Sequence, residues 1–92
     1  MKKIEVIIES VYIKRLLKIF KKHKIGGYTV IKDVEGYGGH GFQTADDVSD
    51  VLSNILVFSV CKKDVLENMQ ADLKKFLETY GGKCIVSDAS FL

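Results

Sequence analysis

Gly36, Gly38, Gly39 and Gly41 crowd the stretch EGYGGHG, in a chain with no proline. Without a Cβ, such positions let backbone N–H groups approach an anion closely. A second glycine pair, Gly81–Gly82, is followed directly by Lys83. Glycine backbone beside one ammonium group is a reasonable phosphate contact. Each pattern has a plainer reading: loop flexibility for the first, a helix stop for the second. Together, on a chain that oligomerises, they suggest an anionic ligand held between subunits.

Other chemistry has weaker support. His40 lies among the glycines, and Asp46 and Asp47 follow shortly after. These three could supply nitrogen and oxygen ligands to a metal, although one histidine cannot make a site alone. The alternative function is therefore a trimeric metal-binding or metal-tolerance protein, with His40 joined by Asp46, Asp47 or a cysteine across the interface, although an adjacent acidic pair in a loop is more often simply solvated. No serine elbow, HExxH pair, CxxC or Walker phosphate loop is present. No nucleophile–base pair is visible, so the chain reads as a non-enzyme. His23 reads as a solvated residue at a helix end.

The elements that must position these residues follow from periodicity. KIEVIIE, with Ile4, Val6 and Ile8 in alternation, predicts a strand covered to some extent on both faces. Ser10 is a candidate N-cap for a helix whose apolar stripe is Ile13, Leu16, Leu17 and Phe20. Lys14, Arg15, Lys18, Lys21 and Lys22 form its solvated face, and IGG supplies its stop. YTVIKDVEGYG predicts a second strand and NILVFSV a third. Residues 62–80 predict a second helix, striped by Val65, Leu66, Met69, Leu73, Phe76, Leu77 and Tyr80. GG at 81–82 ends it, and KCIVSDASFL offers a fourth strand and a short tail.

Two βαβ halves separated by a long excursion imply a ferredoxin-like α+β domain. It would have a four-stranded antiparallel sheet with both helices on one face. Ninety-two residues make a single domain, 1–92. Apolar residues on strands one and three leave the other sheet face needing cover, and another copy of the chain is the natural cover. The formal charge of +2 gives no argument for nucleic acid. Cys61 and Cys84 sit beside or within apolar runs and read as buried reduced thiols. The N-terminus is charged too early for a signal peptide, and no apolar run approaches the ~20 residues that span a bilayer. The expected location is the cytoplasm.

Over nearly its whole length the chain resembles P-II-type signalling proteins. MKKIEVII resembles the family's first strand. GGYTVIKDVEGYG resembles its second, including the glycine–x–threonine turn and the Gly-aromatic-Gly exit. The excursion at 37–53 stands where the family carries its T-loop, and YGGKCIV resembles a shortened B-loop at 80–83. The short chain, GGYTV, SNILVFSV and the abbreviated ending are most similar to a P-II-like branch. That branch includes regulators of sodium-dependent bicarbonate transporters and carboxysome-linked members.

The resemblance implies a homotrimer with a nucleotide in each inter-subunit cleft and no obligatory cofactor. Tyr28, Thr29 and Val30 would line the adenine side. Gly36 and Gly38, beside Tyr37, would present donors to phosphates, and Gly82 and Lys83 would reach them from the neighbouring subunit. Strand three, including Val57 and Phe58, would supply wall and backbone contacts. Tyr37, Phe42, Asp46 and Asp47 would dock on a partner, by resemblance a membrane transporter such as a bicarbonate transporter, which would recruit the protein to the inner membrane face. No arginine follows Arg15 and Lys83 is the last cation, so AMP, ADP or cyclic AMP suits the chain better than ATP, with bicarbonate as a further effector. The loop tip lacks tyrosine, so uridylylation is not expected.

Overall fold

The computed structural model describes residues 1–38, 41–43 and 53–92. Its first strand, β1 (Lys2–Glu9), leads through a 3-10 turn at Ser10–Tyr12 into α1 (Ile13–Lys22). Then come β2 (Thr29–Val34), β3 (Gly36–Gly38), β4 (Gly41–Gln43), β5 (Asn54–Cys61), α2 (Lys63–Tyr80) and β6 (Lys83–Asp88). Four strands form one sheet in the order β2-β5-β1-β6, every neighbouring pair antiparallel. This is the expected ferredoxin-like arrangement.

Alternation along the strands divides the sheet into two unlike faces. Ile4, Val6 and Ile8 of β1 and Ile55 and Val57 of β5 are buried against the helices. They meet Leu16 and Phe20 of α1 and Met69, Leu73 and Phe76 of α2, the centre of both predicted stripes. The opposite face carries Ile7, Leu56 and Ile31 in one paired row, and Thr29, Phe58, Glu5 and Ile85 in the next. Ile31 and Ile85 there remain about half exposed, at 45% and 50%.

Several local details differ from expectation. Ser10 makes no side-chain cap; its N–H donates to the Ser53 carbonyl at 2.7 Å, fixing the exit of β1 against the entry of β5. Glycine does not stop α1. Lys24 takes the left-handed conformation (φ 59°), while its N–H donates to Lys21 O and that of Ile25 to Phe20 O. That is the hydrogen-bond pattern of a Schellman ending, adopted without glycine. His23 is not solvated: its side chain is 14% exposed, with Nε2 2.7 Å from Asp72 Oδ2 on α2. Lys22 Nζ reaches the same oxygen at 3.0 Å.

Those two contacts hold the Asp72 carboxyl below its usual range, the hydrogen bond from His23 contributing most and that from Lys22 next. Well above the ordinary aspartate pKa the carboxyl is ionised in both folded and unfolded chains, and the stabilisation is fully present. As pH falls, the unfolded chain protonates first, and the contribution disappears as pH passes below the folded value. Asp72→Asn should therefore lower the urea midpoint by more at pH 7 than at pH 2.5. An equal gap at both pH values would contradict this.

Candidate functional site

The second strand breaks where its sequence turns glycine-rich. Lys32 pairs with Ile55 and Val34 with Asn54, leaving Asp33 as an extra residue in β2. Asp33 lies at φ 57°, a conformation that aspartate tolerates better than most side chains. The bulge turns the chain out of the main sheet. β3 then pairs with β4 instead, Gly36 opposite Gln43, Tyr37 opposite Phe42 and Gly38 opposite Gly41. The expected single long strand is thus two strands in two sheets. His40, Asp46 and Asp47 lie outside the described residues, and among those described no group of three or more His, Cys, Asp or Glu could hold a metal.

The two glycine signals have different structural explanations. Gly82 is at φ 107°, and a Cβ there would stand 2.5 Å from the Ile7 carbonyl oxygen and 2.8 Å from Ile8 Cγ2. The close passage of β6 over β1 demands glycine at that position. Gly36 has no such constraint: a Cβ there meets nothing within 4 Å. Packing within one chain accounts for Gly82 and leaves Gly36 unexplained.

The remaining expected contacts lie along the sheet. Tyr28 is half exposed, its ring 6.2 Å from that of Phe20. Thr29 is exposed and pairs with Phe58, so the two share the open face. Val30 is partly buried against the core, and Val57 is wholly buried beneath the sheet. Of the site expected around Val57, the side chain belongs to the core and only the backbone is left for a ligand. Lys83 pairs with Ile7 and is exposed at the opposite edge. β2 and β6 are the outer strands of four, so Thr29 and Lys83 are at least about 14 Å apart, three strand spacings.

Two contributors escaped the sequence reading. Ser59, 4% exposed, donates its hydroxyl to the Gly27 carbonyl and ties the turn before Tyr28 to β5. A lone serine at an inward position of VFSV was the available signal. Lys3 stands with Nζ 5.0 Å from the Phe58 ring centroid and 4.0 Å from Glu5, placing a cation on the open face. Burial pushes the thiols of Cys61 and Cys84 up, which keeps both protonated and unreactive. They are free, and β1 lies between their strands.

A family model described as "Nitrogen regulatory protein P-II" matches residues 1–91. The chain belongs to the P-II family. Solved structures agree on the fold. CPII, a nitrogen regulatory PII-like protein from Thiomonas intermedia K12 bound to ADP, AMP and bicarbonate, superposes with TM-score 0.86 at 20% identity, covering 96% of this chain and 84% of that one. The apo form of CPII gives 0.77 at 20% identity, over 96% and 87%. A PII-like signalling protein from Thermus thermophilus gives 0.71 at 22% identity, over 94% and 83%. A comparison with curated proteins returned no match. In this chain the link between α2 and β6 is Gly81–Gly82. The family is one of signalling proteins rather than enzymes.

Proposed function

We propose that this P-II protein assembles as a homotrimer and binds an adenine nucleotide in each cleft between subunits. AMP, ADP and cyclic AMP are the favoured ligands, with ATP weaker and bicarbonate a second effector. The ligand would bias the segment at 37–53 between conformations and so control a membrane transporter, a bicarbonate transporter in the leading case. The protein would work in the cytoplasm and reach the inner membrane face through that transporter. Among the described residues no helix is long and apolar enough to cross a membrane.

The observation that carries this reading is the separation of the two half-sites. Tyr28 and Thr29 lie on the β2 edge, Gly82 and Lys83 on the β6 edge. The width of the sheet separates them in one chain, whereas two neighbouring chains can bring unlike edges together. The half-exposed Ile31 and Ile85 give such an assembly apolar area to bury. Gly36 leaves its backbone open to approach, and CPII, the similar protein, was solved with ADP, AMP and bicarbonate.

Calorimetry tests the proposal directly. Titration with AMP, ADP, cyclic AMP and ATP, with and without bicarbonate, should show micromolar binding of at least one nucleotide. Lys83→Ala should weaken it about tenfold, the worth of one charge-assisted contact to phosphate, without changing the circular dichroism. No heat from any of the four would overturn the reading.

A further inference from the structure

On the side of the molecule away from the open sheet face, α1 and α2 border a shallow, open groove of about 440 Å³. The helices run antiparallel: Arg15 stacks over Tyr80 at 5.2 Å, while Lys22 and His23 reach Asp72. Lys18 and Lys75, which also line the groove, therefore face each other midway between those two anchors. The lining holds four cations, Arg15, Lys18, Lys22 and Lys75, and one carboxylate, Asp72. Asp72 is already engaged by Lys22 and His23, so it does little to offset Lys18 and Lys75. Opposed ammonium groups across a concave surface repel each other, and an anion between them relieves the repulsion.

The distribution of charge selects the kind of anion. The cations that Asp72 does not hold, Arg15 and Lys18 on α1 and Lys75 on α2, are spread along both sides of the groove. A compact ion needs donors converging on one point, whereas these cations form a rail. Between them the floor is apolar, with Ile19, Phe76 and Tyr80. A cationic rail above an apolar floor complements a peptide that carries carboxylates along one side and an aliphatic or aromatic anchor on the other. From this we infer that the α1–α2 groove is a docking site for an acidic, amphipathic peptide segment of a partner protein. It is a surface separate from the proposed nucleotide clefts and from the segment at 37–53.

A fluorescein-labelled peptide of repeating Glu-Glu-Leu, followed by anisotropy, probes the groove in the intact protein. Binding should weaken at least fivefold in Lys18→Glu/Lys75→Glu, and should fall steeply with added salt. The control Lys14→Glu/Lys62→Glu makes the same change in net charge at exposed positions outside the groove, and should alter affinity less than twofold. Amide shifts on peptide addition should cluster at residues 15–22 and 72–80. Equal weakening by both double variants, or shifts centred elsewhere, would overturn the assignment. So would inorganic tripolyphosphate displacing the peptide at equal concentration, since that would mark a site for compact anions. All four lysines are exposed, and circular dichroism checks that each variant is folded.

Discussion

Gly82→Ala should lower the unfolding free energy by about 2–5 kcal/mol and loosen the pairing of β6 with β1. Two costs add. An L-residue in a left-handed conformation costs about 1–2 kcal/mol, and Gly82 lies at φ 107°. The new methyl would also stand 2.5 Å from the Ile7 carbonyl oxygen, a backbone atom fixed by its own strand. Relief requires β6 to move, and forced overpacking costs about 1–3 kcal/mol. Gly26→Ala is the comparison: a Cβ there meets nothing within 4 Å and the backbone is not left-handed, so its effect should stay within about 0.5 kcal/mol. Urea midpoints for the two variants check this, and equal midpoints would refute it. The result also decides how ligand data are read. Nucleotide binding lost in Gly82→Ala reports a displaced strand, whereas binding lost in Gly36→Ala, where the fold imposes no demand, reports a ligand contact.

The contrast between those glycines marks how far the sequence could be read. Both helices and all four strands of the main sheet were legible because their apolar residues recur at the period of the element, as Leu16 and Phe20 do beside Met69, Leu73 and Phe76. What periodicity cannot see is a contact between distant residues. His23 looked solvated because its partner, Asp72, lies 49 positions away. Lys24 took the conformation expected of glycine because two backbone bonds hold it there. Asp33 ended β2 early because a bulge is a property of pairing register, which no single strand carries. Of the residues that the resemblance assigns to the site, Thr29 and Lys83 are exposed and Phe58 is partly exposed on the sheet. The Val57 side chain lies in the core, a point that counting along a strand leaves open until the partners are known. His40, Asp46 and Asp47 lie outside the described residues, so the metal alternative and the docking role both stay expectations from the sequence.

Leu56→Asp should convert the proposed trimer to monomer. Leu56 is paired with Ile7 on one side and Ile31 on the other, so it is the middle of an apolar row across three strands. Its side chain points away from the helices, whose core is built from the neighbouring residues Ile55 and Val57. An aspartate there should leave the monomer folded. In an assembly that covers this face, each subunit loses leucine burial worth about 1.5–3 kcal/mol and must desolvate a carboxylate. The loss, repeated at every contact, should raise the dissociation constant by a factor of more than about 100. Light scattering should give one-third of the wild-type mass with unchanged far-ultraviolet circular dichroism. Ile31→Lys, at the half-exposed edge of the same row, should act in the same direction more weakly. Nucleotide binding should disappear together with the trimer, although neither substitution touches Thr29 or Lys83, because in the proposed assembly those residues meet only across a subunit boundary. A monomeric variant that still binds nucleotide with wild-type affinity would place the ligand within one chain and remove the basis for the inter-subunit site.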